Sequence, residues 1–523
     1  MNKFKNILLS SLLLSSFVSC SDFLQYDKVG EASSDSFWIT ESDAESAADG
    51  LYFFMAETGV VGRGFMHYYN CSDDVVTGRT QSGCDNMKNF VADYSRDVTD
   101  NWPYMYQLIK RCNDIFLNVP SMDISDEVRN EVLGQAYFFR GWAQLWLAPY
   151  YGDNGSNGGI PIVTEDITMD EWDVPRAASV CDNYEAAIED FKKAAELLSY
   201  FSELADVDYG RPHKTACWAY IAKAALYNAQ YDSSYYDMVT EYCDKVINSG
   251  EHALYPDFRE LFTVANNYSS EYIFSFVSNY VTGSILPGVL LENKGWGEYN
   301  GWGYFTPTLE LVNAFEEGDK RLAATVLQPG DEFEFLGTTR IYYSSESYSG
   351  MMLNKFSSPF ASSDAIGSVV NANGDYPATS LNIPLVRYAE VLLWKAEAEI
   401  WTGGNGDDEI NLVRARAGLE SITNATKADL KNERRCELAG EFTNRHLDLV
   451  RWGDAQEVYA EPLHGYTVSI KSTSSSVTSK DDLEITETQV WAARSFNPSI
   501  NHVFPIPATE VSSSVNLTQN IGY

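Results

Sequence analysis

Catalytic signatures are what this 523-residue sequence lacks most clearly. It contains no H-E-x-x-H, no G-x-x-x-x-G-K-[ST], no G-x-S-x-G and no G-x-G-x-x-G after a strand-like run, so the zinc-protease, P-loop, nucleophile-elbow and dinucleotide-binding motifs are all missing. Histidine is scarce: there are six, and none lies three or four residues from another, so no metal-ligand pair is spaced along one helix face. The GNGDDE stretch at 404–409 does not place alternate Asp/Asn ligands and a closing Glu in calcium-loop register. No metal and no cofactor are therefore expected. The 74 Asp and Glu guarantee chance carboxylate pairs, so a glycosidase is unsupported by any motif and is kept as the weakest alternative.

Basic charge is also in short supply. With 37 Lys and Arg against 74 Asp and Glu, the net charge is -37, which repels nucleic-acid phosphates and anionic lipid surfaces. A neutral or weakly charged ligand is favoured. Cysteine is sparse and carries no C-x-x-C; Cys112, Cys181, Cys217, Cys243 and Cys436 fall in helical patterns and read as small core residues. Cys71 and Cys84 lie in a Gly/Ser/Asp-rich stretch and could bridge in an oxidising compartment.

Long apolar runs are missing too. The longest, Ile7 to Val18, is about a dozen residues, short of the roughly 20 that span a bilayer. With Lys3 and Lys5 before it and small residues after it, residues 1–19 read as an export signal. Ser16, Val18 and Ser19 leading into Cys20 look like a lipobox, so the mature chain is expected to start at an acylated Cys20 and to be held by its lipid.

What the chain does have is globular. Hydrophobic residues make up 45 %, with 12 Trp and 33 Tyr, enough for a large core. Apolar periodicity predicts helices over 41–58, 102–119, 127–150, 180–198, 213–231, 235–248, 384–402, 407–417 and 426–442. The Ala-rich pair 213–231 and 235–248 resembles a tetratricopeptide-type unit, and a similar pair recurs near 384–417. The fold class is mainly α, about four degenerate tetratricopeptide-type pairs, with a loop-rich insert at about 255–380 holding short strands near 271, 340 and 351. The scaffold spans about 35–250 and 384–455, residues 20–523 forming one domain that ends in a tail over 490–523. Residues 468–482 are Ser-rich and read as a mobile surface loop.

Two segments carry candidate binding residues. In KGWGEYNGWGYF, 294–305, five of twelve residues are aromatic and four are glycine, so it is a loop and not a helix. Trp296, Tyr299, Trp302 and Tyr304 could stack on the apolar faces of a sugar, or could fold back to plug the helical array. In RGFMHYYNCSDD, 63–74, Arg63, Tyr68, Tyr69, Asn70 and Asp73 mix planar, polar and charged groups suited to hydroxyls or a peptide backbone; a structural loop is the plainer reading. Arg434, Arg435, Glu437, Glu441, Arg445, Asp448 and Arg451 recur on consecutive turns and read as an internal ion-pair network.

Taken in order, SDSFWITESDAESAADGLY, LGQAYFFRGWAQLWLAPYYGDNGSNGGIPIV, RPHKTACWAYIAKAALYNA, PTLELVNAFEEGDKR, PLVRYAEVLLWKAEAEI, ERRCELAGEFTNRHLDLVRWG and FPIPATEVSSSVNLTQNIGY resemble the SusD/RagB family of lipidated nutrient-binding proteins over nearly the whole mature chain. The resemblance implies a non-enzymatic protein on the outer face of the outer membrane, tethered through Cys20. It would act as a lid on a SusC-like TonB-dependent transporter and would capture oligosaccharides, or in some cases peptides. The segments 63–74 and 294–305 would then supply the ligand contacts. A helical scaffold with no small ligand is the remaining alternative.

Overall fold

The computed structural model describes residues 37–78, 82–92, 96–168, 171–278, 302–335, 337–357 and 380–523. Cys20, Trp296 and Tyr299 lie outside the described residues. Helices dominate, as the periodicity predicts. After α1 (Glu41–Asp49) and α2 (Arg63–Asn70) comes the short β1 (Val75–Thr77), then α3 (Ser82–Lys88). The scaffold proper follows as α4 (Asn101–Asn118), α5 (Asp126–Tyr151), α6 (Val180–Leu197), α7 (Lys214–Ala229) and α8 (Tyr235–Ser249), each packed on the one before.

Local chemistry explains these helices. Ser125 caps α5 by accepting from the Val128 N–H, and Ser179 opens α6 in a capping box with Asp182. In α6 the predicted stripe Tyr184, Ala187, Ile188, Phe191, Ala194 and Ala195 is buried, while Glu189 faces solvent. Gly141 lets α5 approach α6, since a Cβ there would lie 3.1 Å from the Ala187 carbonyl and the Phe191 ring. Six buried alanines in α7 allow equally close contacts around that helix.

The insert is bracketed by a two-stranded antiparallel sheet, β2 (Tyr272–Phe276) on β4 (Ile383–Arg387). Between these strands lies β3 (Phe305–Pro307), which crosses back to pair antiparallel with β1. Two further short antiparallel pairs, 326–327 with 352–353 and 332–335 with 338–341, complete the strands expected there. The chain returns to helix in α9 (Tyr388–Trp401), α10 (Asp407–Ala417), α11 (Lys427–Leu438) and α12 (Arg445–Trp452), with α9 packed on α8. One hydrophobic cluster runs from Ala44 to Leu517, so scaffold, insert and tail share a core. Phe504 and Ile506 are buried in it, and Asn520 clamps the tail by donating to the Tyr151 and Phe504 carbonyls.

Residues 63–70, read as part of a loop, form helix α2 instead, and three boundaries differ from the sequence reading. The helix predicted over 41–58 stops at Asp49, where Gly50 ends it and residues 52–56 continue as a 3-10 turn. The start of the helix predicted over 384–402 is instead β4, because Leu385 and Val386 are needed as a buried strand against β2. The Ser-rich 468–482 loop is only the tip of a hairpin formed by β5 (Leu463–Ile470) and β6 (Leu483–Trp491), where Asp482 accepts from Ser474, Thr478 and Ser479. No helix among the described residues is long and apolar enough to cross a membrane.

Candidate functional site

The two segments singled out in the sequence meet through β1 and β3. Val75 pairs with Pro307, Val76 with Thr306 and Thr77 with Phe305, and the Gly78 N–H donates to the Tyr304 carbonyl at 2.7 Å. Below the strands, Thr308 donates through Oγ1 to the Asp73 carbonyl at 2.6 Å and through its N–H to the Asp74 carbonyl at 2.9 Å. The approach is so close at Gly78 that a Cβ would lie 1.9 Å from the Gly303 oxygen.

At this junction Arg63, from the first turn of α2, reaches across to the loop side. Its Nη1 donates to the Tyr304 hydroxyl at 3.0 Å, and its guanidinium lies 5.6 Å from the Trp302 ring centre and 5.2 Å from that of Tyr304. The two rings sit 5.6 Å apart at 49°. Trp302 is half-buried and Arg63 is partly exposed, whereas Tyr304 is closed in beneath them. The result is a cation-braced aromatic pair at the β1–β3 junction, with a half-buried indole of the kind that stacks on a flat, hydroxylated solute.

The rest of the 63–74 candidates belong to the interior. Tyr68 stacks on Tyr150 at 3.9 Å and shares a 2.7 Å hydrogen bond with the Tyr151 hydroxyl. Tyr69 donates to Asp74 at 3.0 Å and accepts from the Gly440 N–H at 2.9 Å; Asn70 donates to Thr77 Oγ1 at 2.9 Å. All three are at most 1 % exposed. Asp73 is 5 % exposed and bonded to Arg445 at 2.5 Å and Arg435 at 2.8 Å. Burial alone would raise its pKa, but the two guanidinium groups outweigh burial and hold the carboxyl well below the usual range. Tyr68, Tyr69, Asn70 and Asp73 are thus corrected from solvent-facing candidates to supports, because side chains this deeply buried present almost no surface to a solute.

Two supports went unread in the sequence. Lys88 is fully buried and its ammonium donates to the carbonyls of Asn70, Ser72 and Val75 at 2.6, 3.1 and 2.9 Å. Arg494 donates to the carbonyls of Cys71, Ser72 and Lys88, with its guanidinium 4.1 Å from the Tyr459 ring centre. Both cations come from other parts of the chain, and no local pattern marks them. Cys71 and Cys84 are both buried free thiols; Cys84 Sγ lies 2.9 Å from His67 Nδ1, and burial pushes the Cys71 thiol up to about 12. Among the described residues no group of His, Cys, Asp or Glu is placed to hold a metal ion.

The charge set predicted on α11 and α12 is internal, as read. Glu437 meets Arg321, Arg387 and Arg416, and Glu441 meets Lys355 and Arg387; Arg434 pairs with Glu390 and Asp448, and Arg451 with Glu397. This network ties the insert to the helical scaffold.

Comparison with known proteins gives a consistent picture. Residues 229–523 match the model of the SusD family, and residues 31–226 match one described as "Starch-binding associating with outer membrane". The chain is 25 % identical to the SusD-like protein P25 of Formosa agariphila, covering 86 % of this chain and 90 % of that one. It is 26 % identical to the starch-binding protein SusD of Bacteroides thetaiotaomicron, over 64 % and 66 % of the two chains. Among solved structures, a SusD-like protein of Bacteroides fragilis superposes with a TM-score of 0.77 at 22 % identity, covering 94 % of this chain and 99 % of that one. A laminarin-binding SusD-like protein gives 0.73 at 22 % identity, over 93 % and 100 %.

Proposed function

The chain belongs to the SusD family, and on that premise we propose that it is a cell-surface lipoprotein that captures neutral oligosaccharides and delivers them to a SusC-like TonB-dependent transporter. The observation that carries the reading is the Arg63, Trp302 and Tyr304 cluster, an aromatic and hydrogen-bonding edge fixed by the β1–β3 pairing. Trp296 and Tyr299, from the same glycine-rich segment of the sequence, are proposed as further ligand contacts. Relatives named as starch-binding and laminarin-binding support the ligand class, and the net charge of -37 disfavours anionic ligands.

The role is binding, with no catalytic group assigned. Stacking rings and a guanidinium that cannot give up its proton hold a glycan without activating a water or a leaving group, so the ligand is passed on intact. Cys20 would carry the acyl chains that keep the protein at the outer membrane, in keeping with the description of the model matched by residues 31–226. Affinity for a short oligosaccharide is expected to be modest, since millimolar binding already corresponds to about -4 kcal/mol. The test is affinity electrophoresis in native gels cast with individual polysaccharides. The wild type should be retarded by at least one of them, and Trp296→Ala with Trp302→Ala should sharply reduce the retardation. Unchanged migration of the double variant would remove this loop from the site, and new reducing ends after overnight incubation would overturn the non-enzymatic reading.

A further inference from the structure

A second cavity lies away from the residues of the Arg63 cluster and shares none of them. It has a volume of about 490 Å³, against about 20 Å³ for the neighbouring cavity at His213 and Asn267. That is within the ~300–1,000 Å³ typical of small-molecule sites. Its walls come from the end of α1 and the 3-10 turn after it, the segment entering α7 and the end of β2.

Four aromatic rings line it: Tyr52, Phe53, Tyr209 and Phe276. None of the four belongs to the buried core set, and Phe53 is 58 % exposed although the adjacent Phe54 is buried. Phe53 thus leaves a ring open at the cavity wall. Gly210 takes φ +102 and a Cβ there would lie 2.2 Å from the Val277 side chain, so segment and strand touch directly.

The polar group on this wall is Arg211, whose guanidinium lies 5.8 Å from the Tyr52 ring centre. It is bonded to Asp208 at 3.0 Å, Gln135 at 3.1 Å and Asp49 at 3.0 Å. Those bonds engage all three guanidinium nitrogens and hold the cation in place beside the Tyr52 ring. Two carboxylates already neutralise the cation, so it has little to offer an anion and suits a neutral acceptor. The Tyr209 hydroxyl has no hydrogen bond to the described residues, which adds a group able to donate or accept.

Ring faces, the Tyr209 hydroxyl and no excess positive charge fit a saccharide. We infer that this groove is a second, independent saccharide-binding site, which would let the protein hold one polysaccharide at two points. Two linked weak sites raise retention of a polymer well beyond either alone. The inference rests on the reading that the chain captures glycans.

The experiment uses the full chain purified in detergent and a printed array of neutral plant, algal and fungal polysaccharides, followed by isothermal titration with a short oligosaccharide of the best-bound glycan. Circular dichroism melts check that each variant is folded. Phe53→Ala with Tyr209→Phe, which removes one ring and one hydroxyl, should weaken polysaccharide binding by about tenfold and lower the oligosaccharide stoichiometry. Arg63→Ala with Trp302→Ala should leave a residual site that the groove variants abolish. If groove variants match wild type in affinity and stoichiometry, the groove is not a site and the Arg63 cluster stands alone. If only the groove variants lose binding, the groove is the site and the assignment of the Arg63 cluster falls. If the wild type binds no glycan on the array, both readings are overturned.

Discussion

Arg387 is 1 % exposed and touches three carboxylates, those of Glu271, Glu437 and Glu441, so its charge is indispensable to theirs. Breaking a buried ion pair by removing one partner costs about 3–5 kcal/mol, mainly through the uncompensated charge left behind. Arg387→Met should lower the unfolding free energy by about that much, read from denaturant midpoints at constant slope. Two buried histidines set the acid limit. Burial, with the charge of His252, lowers His213 to about 3, and burial, with Arg494 and Lys88, lowers His446 to about 3. Between the unfolded value near 6.5 and the folded value near 3, the unfolded chain takes up protons that the folded chain refuses. Stability is therefore full above about pH 6.5 and falls on acidification by up to ~1.4 kcal/mol per pH unit for each histidine. Denaturant unfolding at pH 7.5 and pH 5 should show the loss, and His446→Gln should flatten it; equal slopes in the two proteins would exclude His446 as a source.

At the scale of elements, most helices follow from their own sequence. The capping box at Thr426 and Asp429 opens α11, and Thr426→Ala should cost about 1 kcal/mol with ligand retention unchanged. The candidate site is different in kind, because β1 and β3 are three residues each and lie some 230 positions apart in the chain. Such strands have almost no intrinsic stability and exist because Lys88, Arg494, Arg435 and Arg445 fix the residues before β1. Gly78→Ala places a Cβ against the Gly303 carbonyl, which has no flexible end to move. It should part the strands at that point and reduce glycan retention in native gels more than it lowers the melting temperature. A variant that retains glycan normally would show that the pairing does not position Trp302.

For the whole molecule, the hydrophobic cluster from Ala44 to Leu517 gives scaffold, insert and tail a shared core. If Cys20 is the tether, metabolic labelling with palmitate should follow the wild type and vanish in Cys20→Ala, and the variant should leave the membrane fraction. Labelling that persists in Cys20→Ala would place the anchor elsewhere. The sequence by itself determined what local physics writes: helix positions from apolar spacing, an acidic net charge that disfavours anionic ligands, and the ion pairing around α11 and α12 from charges on successive turns. It could not decide which way Tyr68, Tyr69, Asn70 and Asp73 face, since a polar aromatic run reads alike as a binding edge or a saturated interior. It also joined β4 to the helix after it and missed the Arg211 groove, whose walls come from three distant segments. Burial, strand pairing and ion-pair partners are long-range relations, settled only when the folded chain brings residues hundreds of positions apart into contact.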